Sequence, residues 1–219
     1  MPMLNKRNLI KYFVISIALL LCIAIAISDG VQAHNIADTA TAPTASATLN
    51  ATYGTFYQGS IYRYTDYRKV EDMHAGRITD DTTVIIIDSS KPHGSQKNPF
   101  VIDSIAKWDA FAADMNSTSS GITNYGAGYY FLLANDLDFD GLTFRTISRF
   151  EGTFYGLGHT LKNIKIAGVT DCAPFVILVN GVIADLNNYN FNYVNCDQQS
   201  GIVSGLSGDG HILNCHVEG

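Results

Sequence analysis

The hydrophobic positions of this chain come in short runs broken by polar residues, and residues 150–166, FEGTFYGLGHTLKNIKI, show the pattern most clearly. They read as a strand, a glycine-rich turn and a second strand. In the second part Leu161, Ile164 and Ile166 are apolar, with Lys162, Asn163 and Lys165 between them. Such near-alternation sends apolar and polar side chains to opposite faces of a strand. Leu161-Lys162-Asn163-Ile164 is echoed by Ile183-Ala184-Asp185-Leu186 and then by Ile212-Leu213-Asn214-Cys215, at successive offsets of 22 and 29 residues. Spacings in this range mark architectures in which each repeat stacks on the last. Residues 174–178 and 201–206 supply a second set of strands between these echoes. The pattern predicts a stacked, mainly β fold in which Asn163, Asp185 and Asn214 lie above one another as a hydrogen-bonded structural ladder.

The preceding chain reads differently. Residues 53–88 are rich in tyrosine and β-branched residues and predict two or three short strands, with 82–87, TTVIII, as a buried one. The tyrosines suit strand-face packing, and a carbohydrate-stacking surface is the alternative. Residues 89–99, SSKPHGSQKNP, are a loop by composition. A helix is predicted over 105–115, with Ser104 as its N-cap and Trp108, Phe111, Ala112 and Met115 along one face. Residues 116–128 read as a loop and 129–133, YYFLL, as a buried strand.

The N-terminus changes the picture of where this fold works. Lys6, Arg7 and Lys11 precede an apolar run at 12–27, and Val31-Gln32-Ala33 forms a cleavage site. The run is shorter than the roughly 20 residues of a spanning helix. Residues 1–33 therefore predict a cleaved export signal rather than the alternative of an uncleaved membrane anchor, a secreted or cell-surface protein, and no stable membrane span after cleavage. Residues 34–52 are Ala-, Thr- and Ser-rich and read as a flexible spacer. Four segments follow: signal at 1–33, spacer at 34–52, a short β-rich segment at 53–93, and the helix with the stacked strands at 94–219. Removing Lys6, Arg7, Lys11 and Asp29 with the signal takes the chain's 14 basic and 20 acidic residues to 11 and 19, a balance of −8. A chain this acidic, with no basic stripe, is a poor partner for nucleic acid.

Candidate chemistry is sparse. Cys172, Cys196 and Cys215 form no CxxC pair, so zinc and thioredoxin-like readings lack support. Either they pack as small hydrophobes, or two of them form one disulfide in an oxidising exterior. Asp136, Asp138 and Asp140, followed by Gly141, match the start of a calcium loop, but Ile147 stands where the loop needs its bidentate Glu. A solvated acidic strand end is the plainer reading, and neither a metal nor a cofactor is expected. His159, in its glycine turn, reads as a turn histidine, as do His211 and His216. The sequence has no HExxH, no GxSxG and no phosphate-cradling loop.

A resemblance adds to this. Asn98-Pro99-Phe100-Val101-Ile102, the Trp108 helix, YYFLLANDLD at 129–138 and FEGTFYGLGHTL at 150–161 resemble the entry module of bacterial surface proteins carrying Glug-type repeats. GIVSG at 201–205 and GHILNCHVEG at 210–219 are similar to a Glug repeat. The likeness covers roughly 94–219. It implies a right-handed parallel β-helix, a solenoid, with an N-terminal capping helix and preceding short strands. Tyr155 stands where the family has Asp, Leu157 where it has Asn or a small polar residue, and 173–176 lacks the usual glycines. The family is defined by repeats and not by a catalytic site, so it lends no functional residues.

Three functions compete. The first is a non-catalytic adhesion or binding module for an extracellular glycan or protein. The second is a polysaccharide-degrading β-helix enzyme using Asp138, Asp140, Glu151 or Asp171. The third is the structural stalk of a larger surface protein, self-associating through its C-terminal coil. The missing catalytic constellation favours the first.

Overall fold

The computed structural model describes residues 53–77, 79–117 and 124–219. The export signal and spacer expected at 1–52 lie outside them. Among the described residues no helix is long and apolar enough to cross a membrane.

The tyrosine-rich segment forms an antiparallel pair, β1 (Ile61–Thr65) with β2 (Thr82–Ile86), in which Ile61 faces Ile86 and Thr65 faces Thr82. A helix that the pattern did not announce, α1 (Tyr67–His74), joins them. Asp66 caps it, its carboxylate accepting the Arg68 N–H at 3.1 Å. Tyr67, Val70 and Met73 fall at helical spacing, but none is fully buried, and the segment is only eight residues long. The strand β2 is not buried as expected: Ile86 is 60% exposed and only the following Ile87 is enclosed. One face of the pair packs against the rest of the protein and the other meets solvent. Tyr62 and Tyr64 lie on the packed face, beside Tyr155, Leu132 and Val182.

From Phe100 onward the chain is mainly β, and its strands pair in parallel. Phe100–Ile102 (β3), Tyr130–Leu133 (β4), Thr153–Tyr155 (β7), Val182–Ala184 (β12) and His211–Leu213 (β17) form a five-stranded sheet in that order. Leu137–Asp138 (β5), Thr160–Lys162 (β8), Asn187–Tyr189 (β13) and His216–Glu218 (β18) form a four-stranded one. Ile147–Phe150 (β6), Phe175–Val179 (β11) and Val203–Ser207 (β16) form a third. Two smaller pairs complete the set: Lys165–Ala167 (β9) with Asn192–Val194 (β14), and Asp171–Cys172 (β10) with Gln198–Gln199 (β15). From β7 onward each pass of the chain visits the sheets in the same order.

The register is regular. Thr153 pairs with Val182, 29 positions on, and Val182 with His211, 29 further. Thr160 pairs with Asn187 after 27. The 29-residue offset read from the sequence is thus a true pairing, Ile183 beside Ile212. The 22-residue offset is not: Leu161 lies beside Asn188, and Ile183 beside Phe154.

The cause lies in the corners. Asn163, Asn180, Asn190, Asn195 and Asn214 all have φ between 47° and 55°, as does Asp185. Asn and Asp enter this left-handed region at lower cost than other side-chain-bearing residues, because the short polar side chain bonds locally. An apolar residue followed shortly by Asn therefore marks a corner without saying which corner. Gly156 shows the other demand of tight stacking. A Cβ there would stand 2.4 Å from the Asp185 carbonyl oxygen, so only glycine lets the two passes approach.

Inward side chains build one aromatic core. The predicted helix is present as α2 (Ile105–Asn116), with Trp108, Phe111, Ala112 and Met115 enclosed and Ser104 at the N-cap position without a side-chain capping bond. Phe111 packs on Phe131, Phe150, Phe154 and Phe175 at centroid distances of 4.7 to 6.4 Å. Those four rings come from β4, β6, β7 and β11, so one helix face ties several strands together. Full burial of such a side chain contributes roughly 1.5–3 kcal/mol.

Candidate functional site

Regular parallel pairing has a consequence for the surface: outward side chains stand in rows. On the four-stranded sheet Leu137, Leu161 and Asn188 point inward and are buried. The neighbouring positions point out. Asp138, Lys162, Tyr189 and Glu218 form one row, and Thr160, Asn187 and His216 another. Every strand of this sheet contributes charged or polar side chains to this face, and Tyr189 is half exposed within it.

A hydrogen-bond network orders its lower part. Asp136 accepts from Lys162 Nζ at 2.7 Å and from the Thr160 N–H at 3.0 Å, with His159 Nδ1 at 3.3 Å. The Lys162 bond, ahead of the other contacts, holds the Asp136 carboxyl below the usual carboxylate range and raises the Lys162 ammonium in turn. Asp138 accepts from Asn163 Nδ2 at 2.7 Å and from the Asp140 N–H at 3.0 Å, and the Asn163 bond leads in lowering its pKa.

The three aspartates read as the start of a calcium loop therefore do not share a site. Asp136 turns to Lys162 and His159, Asp138 turns to Asn163, and Asp140 lies beyond the strand end. Among the described residues no three His, Cys, Asp or Glu side chains gather as a metal site would require. The carboxylates offered for catalysis are likewise apart in their bonding. Glu151 pairs with Arg149 at 2.6 Å, and Asp171 accepts from Ser204 at 3.4 Å. His211 stacks on Tyr67 at 4.8 Å, and His216 lies 3.8 Å from Glu218.

The expected ladder of Asn163, Asp185 and Asn214 resolves into two columns. Asn214 Nδ2 donates to Asp185 at 2.8 Å. Asn163 stands at a different corner, receives a hydrogen bond from Asn190 Nδ2, and gives its own to Asp138. The pairing of Asn163 with Asn190 has no counterpart in the echo from which the ladder was read. One core position was also hidden. Asn188 is fully buried in a column otherwise apolar, its Nδ2 donating to the Gly201 carbonyl at 2.7 Å. Its Oδ1 has no partner among the described residues.

The cysteines resolve as well. Cys172 and Cys196 form a disulfide, Cα atoms 5.9 Å apart, and Cys215 is a free, half-buried thiol whose pKa burial pushes up to about 11.

Comparison with protein-family models, curated proteins and solved structures finds no match.

Proposed function

We propose that this chain is an exported, non-catalytic binding module of the bacterial cell surface. In this reading its parallel sheets are the faces of a right-handed parallel β-helix of the Glug-type kind, and α2 is its N-terminal cap. The observation that carries it is the register. From β6 onward successive passes pair residue for residue at offsets of 27 to 29 (Thr160 with Asn187, Phe175 with Val203, Thr153 with Val182). Left-handed corners and a continuous aromatic core support those pairs. Such a scaffold holds outward rows of side chains at fixed spacing, which is what recognition of an extended extracellular glycan or protein needs. Binding of the full chain to arrays of glycans and extracellular-matrix proteins tests the reading. Saturable capture of one class is expected, and silence on both arrays defeats it.

A further inference from the structure

Beside the polar rows the surface opens into a groove of about 710 Å3, between residues 139–146 and the strand β9. It exists because the preceding pass has no strand here. β7, β8 and β11 each have a strand of that pass beside them, but β9 pairs only with β14 and β10 only with β15. Where its lower neighbour would run, the chain makes a turn, with the Leu142 N–H on the Phe139 carbonyl at 2.9 Å. Phe139 and Phe144 flank that turn, pack on each other at 4.8 Å, and both reach Trp108 in the core. The turn is thus anchored from inside while residues 140–143 project outward as a wall.

The floor presents backbone as well as side chains. Asn192 N–H bonds the Ile164 carbonyl at 2.7 Å, and Gly168 N–H bonds the Val194 carbonyl at 3.0 Å. In a parallel strand alternate residues face opposite neighbours, so Lys165 and Ala167 direct their N–H and C=O groups into the groove. Asn163 and Lys165 rise from one pass, and Asn190 and Asn192 from the next, in register with Lys165 beside Asn192. Equivalent groups recur at the strand spacing of about 4.8 Å. Leu142, 48% exposed, and Val169, 45% exposed, give the groove apolar patches.

We propose that this groove binds an extended, uncharged oligosaccharide. The inference rests on the binding-module reading and gives that module its site and ligand class. Amide side chains and strand-edge backbone offer donors and acceptors together, which suits hydroxyl groups that both give and take hydrogen bonds. Apolar patches suit sugar-ring faces. Groups recurring at the strand spacing meet successive rings of a chain laid across the strands. The wall's Asp140 balances Lys165, and the chain's net charge of −6 works against polyanions. The volume lies within the range of ordinary ligand pockets, roughly 300–1,000 Å3.

The test uses the full chain on an array of linear neutral oligosaccharides, with uronic-acid and sulfated chains and short peptides alongside. Wild type is compared with the Lys165→Ala/Asn192→Ala double variant and with Lys91→Ala, which removes an exposed lysine outside the groove. Neutral oligosaccharides are expected to bind, the double variant to lose about tenfold or more in affinity, and Lys91→Ala to match wild type. As a readout independent of any variant, saturating neutral oligosaccharide is expected to slow hydrogen exchange at the Lys165 and Ala167 amides. Undiminished binding by the double variant, or unchanged exchange at these amides, overturns the groove while leaving a binding module in place. Capture of only polyanions or peptides overturns the ligand class alone. Capture of nothing overturns both the groove and the module.

Discussion

Thr65 donates its backbone N–H to the carboxylate of Asp185, 2.7 Å away and 120 positions along the chain. The Thr65 hydroxyl donates to the same carboxylate, and Asn214 adds a third bond at 2.8 Å. This buried carboxylate joins β1 to the corners that follow β12 and β17. Removing it strands two buried donors of Thr65, each costing about 1–3 kcal/mol. Asp185→Ala is therefore expected to lower stability by about 2–4 kcal/mol in urea unfolding. Hydrogen exchange in β1 should rise more than in β7. Equal change in both strands would show that the contact is not specific to the hairpin.

Gly156 and the asparagine corners give a second expectation. Gly156→Ala pushes a Cβ into the Asp185 backbone and is expected to cost about 1–3 kcal/mol. At Asn190, φ is 54°. Asn190→Val is expected to cost more than Asn190→Gly, by about 1–2 kcal/mol, since only glycine enters the left-handed region freely. Thermal melts of the two variants decide it, and equal melting temperatures would remove backbone strain as the reason for asparagine at this corner.

These corners also explain how far the sequence could be read. The helix at Ile105–Asn116 was legible because Trp108, Phe111, Ala112 and Met115 fall on one face that the fold then buries completely. The strand at Tyr130–Leu133 was legible as a short apolar run. The register was half legible. Ile183 and Ile212 do pair, but Asn163 belongs to a corner of another sheet, and several corners take the same residue type, Asn or Asp. Helix α1 escaped because it is short and leaves its apolar positions only half buried. The groove was not legible at all, since it arises from Phe139 and Phe144 turning inward together, a packing event with no periodicity of its own.

The disulfide carries a third expectation. Cys172 and Cys196 are separated by 24 positions. Closing a loop of that length removes chain entropy worth about 3 kcal/mol from the unfolded state. Cys172→Ser/Cys196→Ser is expected to lose an amount of that order. Mass analysis of unreduced, unfolded protein after alkylation should find Cys215 modified and Cys172 and Cys196 protected. Labelling of all three would contradict the pairing.

Acid should act through Asp136 and Asp138. Both carboxyls sit below their ordinary value in the fold, so the unfolded chain takes up protons first. Their contribution is complete above the unfolded value of about 3.9 and is lost as pH falls through the folded values. Lys162 has the opposite sign: its contribution is present below its unfolded value of about 10.4 and fades as pH rises through its raised folded value. Melting temperature against pH should therefore fall on the acid side, and less steeply in Asp136→Asn/Asp138→Asn. A variant as acid-sensitive as wild type would assign the loss to other carboxylates.

As a binding module, the chain is proposed to bind oligosaccharide without cutting it. The direct measurement is titration of the full chain with each oligosaccharide it captures, followed by mass analysis of the recovered sugar. Saturable binding with the oligosaccharide returned at its original length is the predicted result. Shortened or unsaturated products, in amounts that grow with time and protein concentration, would contradict it.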